Sequence, residues 1–151
     1  RGVGVNYGVS VGGGVVIGNH VQLGPCCIIG HDSVIEDYAV IGGLSAIHQF
    51  CRVGAHAFIS GLTGVVLDIP PYMLAAGSRA KLFGLNTVGL KRQSFREETI
   101  RALKTAYRII FRSGLTLEKA IKKVEESEIF QIPEVEHLLR FIQQTKRGIC
   151  R

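Results

Sequence analysis

A six-residue period governs the first 65 residues of the chain. Every sixth residue from Val5 to Val65 is valine, isoleucine or leucine. The positions are Val5, Val11, Ile17, Leu23, Ile29, Ile35, Ile41, Ile47, Val53, Ile59 and Val65. An α-helix repeats every 3.6 residues and a strand every two, so neither accommodates this period. A three-sided solenoid does, with one aliphatic side chain per face pointing to the axis and small residues at the corners.

The repeat predicts a hexapeptide β-solenoid over residues 1–66. If about eighteen residues complete one three-sided turn, this stretch makes roughly three and a half coils. Glycine often follows the inward aliphatic residue, as at Gly24 and Gly42, and we expect it to serve the corners. Each coil buries its aliphatic side chains only against the next, so its stability depends on its neighbours. The chain begins inside the repeat without a capping element, and we expect a fragment or a truncated or redesigned chain.

The period changes after residue 66, and residues 67–92 are expected to be an exit segment. Their start, Asp68-Ile69-Pro70-Pro71-Tyr72, should be extended, because proline cannot donate to a ladder and restricts the residue before it.

Residues 93–151 follow a helical period and predict a small all-α C-terminal domain. Ser94 and Glu97 match a capping-box pattern, Thr116 can cap a second helix, and Pro133 stands near the start of a third.

Charge is concentrated in this helical part. Residues 91–151 hold fourteen Lys or Arg and eight Asp or Glu, which accounts for the whole net charge of +6. Such a surface can attract phosphate, nucleic acid or an acidic protein. Nothing interleaves aromatic with basic residues, so nucleic-acid binding is not favoured.

Other sequence signals are negative. No apolar run is long enough for a membrane span and no leader marks secretion, so we expect a cytoplasmic protein. The four cysteines, Cys26, Cys27, Cys51 and Cys150, form no metal-type pair and are expected to be free thiols; no metal site is predicted. His20 and His56 are expected at exposed corners.

Several short segments together resemble one known family. They are IGGLSAIHQFC at 41–51, DIPPY at 68–72, FGLN at 83–86, GLKR at 89–92, AYR at 106–108, FRSG at 111–114 and RGI at 147–149. In this order they are similar to the UDP-N-acetylglucosamine O-acyltransferases, the first enzymes of lipid A synthesis. A generic hexapeptide transferase shares the coils but not the HQFC segment or this helical tail.

The resemblance implies a left-handed parallel β-helix that forms a homotrimer, with sites in clefts between subunits. The implied reaction moves an (R)-3-hydroxyacyl chain from acyl carrier protein to the 3-hydroxyl of UDP-N-acetylglucosamine. No metal or organic cofactor is implied.

The resemblance also implies roles for individual residues. His48, Gln49, Asn86 and Arg92 match substrate-binding positions. Gly61 matches the position that sets acyl length, and Phe58 lies near that tunnel. The basic residues expected to dock an acidic carrier protein are Arg96, Arg101, Lys104 and Arg108.

The catalytic positions depart from the family pattern. The reaction needs a general base, for which histidine is best poised near neutral pH. Counted back from Ile17-Gly18-Asn19, the family's His-Asp pair falls on Gly13 and Gly14, which cannot take a proton. The catalytic residue therefore stays open, with His31 as a candidate. The alternative is a catalytically inactive, truncated or engineered trimeric scaffold of the same family.

Overall fold

The computed structural model describes residues 1–151. Two-residue strands recur every six residues along the first part of the chain. They are β1 Gly4–Val5, β2 Ser10–Val11, β3 Val16–Ile17, β4 Gln22–Leu23, β5 Ile28–Ile29, β6 Val34–Ile35, β7 Val40–Ile41, β8 Ala46–Ile47, β9 Arg52–Val53, β10 Phe58–Ile59 and β11 Gly64–Val65.

Each strand pairs in parallel with the strand one coil later, so that Gln22 lies opposite Val40 and Ile29 opposite Ile47. Three sheets result, one for each side of the solenoid. Sheet A contains β1, β4, β7 and β10, sheet B contains β2, β5, β8 and β11, and sheet C contains β3, β6 and β9.

The period-six aliphatic residues form the axis of the solenoid, as predicted. From Leu23 to Val65, every one of them is at most 2% exposed. Only the first coil differs: Ile17 is half-buried, and Val5 and Val11 are 62% and 46% exposed. In the structure these residues pack against the second coil, through the pairs of Val5 with Leu23, Val11 with Ile29 and Ile17 with Ile35.

The prediction of small residues at the corners holds at the tips of the first coil, Gly2, Gly8 and Gly14, and is wrong at most tips of the later coils. The backbone turns at each tip through a left-handed conformation, with φ between 57° and 62° at eight non-glycine residues. These include Tyr38, Leu44 and Phe50. Glycine follows the aliphatic residue because the backbone of the next coil passes too close for a side chain. A Cβ on Gly24 would lie 2.5 Å from the backbone nitrogen of Gly43 in the next coil.

The parallel ladder continues beyond residue 66. Strand β12, Met73–Ala76, pairs with β10 and is followed by the antiparallel β13, Lys81–Leu85. Phe58 faces Leu74, sixteen residues on, so this last coil is two residues shorter than the others. The expected extended run is therefore wrong at its end, because Pro71 and Tyr72 form another corner, with a φ of 70° at Tyr72.

Four α-helices and a 3₁₀ turn follow the sheets. They are α1 Thr87–Arg92, α2 Glu97–Phe111, α3 Leu117–Glu125, the 3₁₀ turn Glu128–Gln131 and α4 Pro133–Gln143. Thr116 caps α3 by accepting from the Lys119 amide, and Pro133 opens α4, as predicted. The predicted capping box is wrong: Arg96 precedes α2 without a side-chain cap, and Ser94 has a φ of 60° in the turn after α1. No helix is long and apolar enough to cross a membrane.

The C-terminal segment returns to the end of the solenoid. Asp68 forms a parallel bridge with Ile149, and its amide donates to the Gly148 carbonyl over 2.9 Å. All four cysteines are free thiols. Burial raises the pKa of Cys51 and of Cys150 to about 11, which keeps these two thiols protonated at neutral pH.

Candidate functional site

A cavity of about 610 Å³ lies where the outer face of sheet A meets α1. Tyr38 and His56 line it from one corner and Phe58 from the strand face. Asn86 and Arg92 line it from the two ends of α1. The structure thus gathers three of the residues singled out from the sequence, Phe58, Asn86 and Arg92, in one cavity with an apolar floor and a basic rim.

Asn86 holds the cavity wall in place. Its Oδ1 accepts from the Gly89 amide over 3.2 Å and caps α1, and its Nδ2 donates to the His56 carbonyl over 2.9 Å. The Asn86 backbone amide also donates to the Tyr72 carbonyl over 2.8 Å. Asn86 therefore fixes α1 against the corner of the solenoid.

Arg92 brings an unpaired positive charge to this cavity. It is exposed in the last turn of α1 and takes part in no ion pair. Val88 and Gln93, its neighbours in the wall, carry no charge. A guanidinium with unused donors can hold a carboxylate or phosphate through two parallel hydrogen bonds.

A ladder of aromatic and imidazole rings runs along the corner beside the cavity. His20 stacks on Tyr38 at 4.9 Å and Tyr38 on His56 at 4.8 Å, and Tyr72 follows at 6.0 Å. His56 is half-buried rather than exposed, and burial lowers its pKa. The sequence analysis missed the ladder, although its first three members stand one coil apart in the chain.

His48 and Gln49 lie on a different edge of the solenoid, where sheet B meets sheet C. Nδ1 of His48 is 3.4 Å from the Gln49 carbonyl oxygen, and both residues line a shallow depression of about 320 Å³. They are exposed and separate from the cavity that contains Asn86 and Arg92. One copy of the chain does not bring the four predicted substrate-binding residues together.

His31 and Asp32 occupy the same edge one coil earlier. Nδ1 of His31 is 2.8 Å from Oδ2 of Asp32, and this hydrogen bond raises the pKa of His31. The edge of the Phe50 ring faces the imidazole at 5.1 Å.

Gly61 lies on the third edge, between sheets A and B. A Cβ there would meet only the Gly43 carbonyl oxygen, at 3.3 Å. Gly61 is therefore outside the cavity that contains Phe58.

The first coil has two glycines, Gly13 and Gly14, on the edge of the solenoid where His31 lies. A Cβ on Gly13 would meet nothing within 4 Å, whereas a Cβ on Gly14 would lie 2.3 Å from the Asp32 carboxylate.

The basic residues of α2 form one exposed stripe. Arg101, Lys104 and Arg108 follow one another at helical spacing, and Arg96 stands just before the helix. All four are exposed and none is in an ion pair. Arg96 and Arg101 also line a groove of about 780 Å³ between α2 and the start of α4.

No group of three or more His, Cys, Asp or Glu side chains is arranged to hold a metal ion. The coils, the helical segment and the cavity between them place the chain in the class of hexapeptide-repeat β-helix proteins.

Comparison with known proteins narrows the class. Residues 68–150, more than half of the chain, match the family described as Udp N-acetylglucosamine O-acyltransferase, domain 2. The chain belongs to the UDP-N-acetylglucosamine O-acyltransferase family.

Two curated relatives carry the name acyl-[acyl-carrier-protein]–UDP-N-acetylglucosamine O-acyltransferase. The one from Myxococcus xanthus is 54% identical over 117 residues, which are 78% of this chain and 45% of that protein. The one from Anaeromyxobacter dehalogenans is 45% identical over 147 residues, 97% of this chain and 54% of that protein. The chain thus spans about half the length of these relatives.

A solved structure supports the same family. The UDP-N-acetylglucosamine acyltransferase from Campylobacter jejuni superposes with a TM-score of 0.81 at 34% identity, covering 90% of this chain and 52% of that one. The chain folds as a left-handed parallel β-helix of hexapeptide repeats followed by helices, as predicted.

Proposed function

We propose that the chain works in an enzyme that transfers an (R)-3-hydroxyacyl group from acyl carrier protein to the 3-hydroxyl of UDP-N-acetylglucosamine. The observation that carries the proposal is the cavity that the unpaired guanidinium of Arg92 and the Phe58 ring both line. The guanidinium can bind the diphosphate of a sugar nucleotide. The aromatic ring can pack against an acyl chain or a nucleobase. Relatives at 45–54% identity are named acyl-[acyl-carrier-protein]–UDP-N-acetylglucosamine O-acyltransferase, which supports acyl transfer between these two partners.

The distribution of the candidate residues favours a homotrimer. His48 and Gln49 lie on one edge of the solenoid, and Asn86 and Arg92 lie in the cavity over sheet A. Packing copies side by side would bring the first edge of one copy to the cavity of its neighbour. The substrate site is then a cleft between subunits, and the protein acts in the cytoplasm, where acyl carrier protein and the sugar nucleotide are available.

The carrier protein would dock on the exposed stripe of Arg96, Arg101, Lys104 and Arg108. Unpaired charges on one helix face steer an acidic partner into contact. Gly61 and Phe58 would then limit the acyl chain from two sides of sheet A.

The test is direct. Purified protein is incubated with 3-hydroxyacyl carrier protein and UDP-N-acetylglucosamine, and the acylated sugar nucleotide is measured by mass spectrometry. Arg92→Ala should weaken UDP-N-acetylglucosamine binding about tenfold or more, because a charged hydrogen bond contributes about 1.5–3 kcal/mol. Arg79→Ala, an exposed arginine outside the cavity, is the matched control. Equal binding by both variants would remove Arg92 from the site.

A second candidate is a non-catalytic trimeric scaffold of the same family. The observation that favours it is the pair Gly13 and Gly14 at the expected catalytic positions. Absence of product from a protein that sediments as a trimer and still binds the sugar nucleotide would select this candidate.

A further inference from the structure

Tyr72 is the residue on which contacts from both ends of α1 converge. At the start of α1, the Asn86 amide donates to the Tyr72 carbonyl over 2.8 Å. After the other end, the Phe95 amide donates to the Leu90 carbonyl over 3.1 Å, and the Phe95 ring meets the Tyr72 ring edge-on at 6.1 Å. The short helix that carries Arg92 is therefore held at both ends by contacts that lead to Tyr72.

The Tyr72 side chain also supports the wall of the cavity. Its ring stacks on His56 at 6.0 Å, and His56 lines the cavity. The Phe95 ring meets the His56 ring as well, edge-on at 4.8 Å. The His56 carbonyl accepts from Nδ2 of Asn86 over 2.9 Å, so the two backbone carbonyls that hold Asn86 belong to His56 and Tyr72. A shift of Tyr72 would therefore displace the imidazole and the cap of α1 together.

The hydroxyl of Tyr72 makes a contact that ring stacking does not require. Tyr72 is only 4% exposed, and a buried hydroxyl needs a hydrogen-bond partner. The partner is Nδ1 of His137 on α4, at 2.8 Å, and the imidazole is held in turn by Glu36, whose Oε2 lies 3.2 Å from Nε2. The orientation of the Tyr72 ring is thus fixed by a side chain of the helical segment that does not line the cavity.

The attachment of α4 to the β-helix has a second anchor one turn after His137. The Arg52 guanidinium lies 3.9 Å from the centre of the Phe141 ring, and its Nη1 donates to the Phe141 carbonyl over 3.3 Å. Phe141 itself is 1% exposed. Loss of the contact between Tyr72 and His137 should therefore loosen the corner while α4 keeps its place.

We propose that Tyr72 and His137 are positioning residues for ligand binding in this cavity, a role that rests on the sugar-nucleotide binding proposed above. His137 orients the Tyr72 ring, Tyr72 positions Asn86, and Asn86 determines where α1 places the Arg92 guanidinium. This placement matters because a guanidinium forms two parallel hydrogen bonds to a phosphate only in one orientation. Neither Tyr72 nor His137 needs to touch the substrate to have this effect.

The experiment measures the dissociation constant of UDP-N-acetylglucosamine by calorimetry for the whole protein and its variants. Tyr72→Phe removes only the hydroxyl, and His137→Phe keeps a ring of similar size without its nitrogens. Each should raise Kd about two- to tenfold, the range expected for one hydrogen bond. Because the two residues act through one contact, the double variant should bind no more weakly than the weaker single variant.

Two control variants separate positioning from stability. Thr145→Val removes a hydrogen bond that holds the C-terminal segment to Asp68, and Tyr107→Phe removes a hydroxyl on α2 outside the cavity. Both should keep Kd within about 1.5-fold of the parent, even where the thermal unfolding midpoint falls as far as in Tyr72→Phe. In turnover, KM for the sugar nucleotide should rise in Tyr72→Phe by the same factor as Kd, while kcat stays within about twofold.

The outcomes are distinct. A parent that does not bind UDP-N-acetylglucosamine overturns the proposed function together with this role. A parent that binds, with Tyr72→Phe and His137→Phe binding equally well, overturns the role of the two residues and leaves the proposed function standing. Additive losses in the double variant, or an equal loss in Thr145→Val, also overturn the role, because the effect then does not pass through the contact between Tyr72 and His137.

Discussion

The hydroxyl of Tyr72 and Nδ1 of His137 meet at 2.8 Å, 65 residues apart in the chain, and join the last corner of the solenoid to α4. The other imidazole nitrogen, Nε2, lies 3.2 Å from Oε2 of Glu36. Since the carboxylate only accepts, Nε2 of His137 is the donor to Glu36, and Nδ1 faces the Tyr72 hydroxyl. Burial raises the pKa of Tyr72, so the phenol remains a donor at neutral pH. The helical segment is thus held on the β-helix by a Tyr–His–Glu chain.

Glu36 makes this contact pH-dependent. Burial opposes its ionisation, but hydrogen bonds from His137 and the Ala55 amide, with the Arg52 charge, leave its pKa below the ordinary value. A lowered folded-state pKa means that the stabilisation is present above the unfolded pKa, about 4.3, and is lost as pH falls through the folded pKa. Glu36→Gln should therefore cost about 1–3 kcal/mol at pH 7 and much less near pH 3.

Urea unfolding of the parent and Glu36→Gln at both pH values measures this difference. Glu118→Gln, an exposed glutamate in the first turn of α3, is the control and should change stability by less than about 0.5 kcal/mol. A loss from Glu36→Gln that is equally large at pH 3 would contradict the assignment.

Asp68 anchors the C-terminal segment and is only 1% exposed. Its Oδ1 accepts from the Arg52 amide over 2.8 Å and its Oδ2 from the Thr145 hydroxyl over 2.6 Å. Asp68→Ala leaves both donors without an acceptor and should destabilise the protein by about 2–4 kcal/mol. Hydrogen exchange should show faster opening at the Cys150 amide, which donates to the Asp68 carbonyl.

Thr145→Val is the milder companion of Asp68→Ala. It removes one of the two bonds to the carboxylate and should cost about 1 kcal/mol. If the two variants are equally stable, or if exchange at Cys150 does not change, Asp68 is not the anchor of this segment.

The β-helix could be predicted from the sequence because its cause is repeated. Leu23, Ile29 and Ile35 each fill the axis on one side of the second coil, so an aliphatic residue recurs once per side of every coil. The continuation past residue 66 was hidden because the last coil is two residues shorter and Ile69 and Met73 fall out of phase. Both side chains are nevertheless fully buried, so the core of the solenoid continues at least to Met73.

The candidate site was less predictable for a physical reason. The left-handed backbone at the tips points large side chains such as Tyr38 outward along the corner, where the next coil stacks another ring. Nothing in a six-residue pattern reports contacts between residues of successive coils on the outside. Gly61 and His48 lie on two different edges and Arg92 lies in the cavity over sheet A, which is evident only once the three sides are traced in space.

The axis offers a matched pair for stability. Val53 and Val11 occupy equivalent inward positions, but Val53 is fully buried and Val11 is 46% exposed in the first coil. Val53→Ala should lower the free energy of unfolding by about 2 kcal/mol through lost burial and a small cavity. Val11→Ala should cost less than about 0.5 kcal/mol, because much of its surface already contacts water. Chemical denaturation gives both values, and equal losses would mean that the first coil is as tightly packed as the third.

The last prediction concerns the basic stripe of α2 and the binding of acyl carrier protein. Arg101 and Lys104 are exposed and unpaired, and reversing both to glutamate should weaken the binding of acyl carrier protein. The effect should be tenfold or more at about 50 mM salt and shrink at higher ionic strength, because exposed charges are screened beyond roughly 10 Å at 0.1 M. Reversing Lys119 and Lys122 on α3 changes the net charge by the same amount on a different helix. If both double variants lose affinity equally, net charge rather than the α2 stripe attracts the carrier protein.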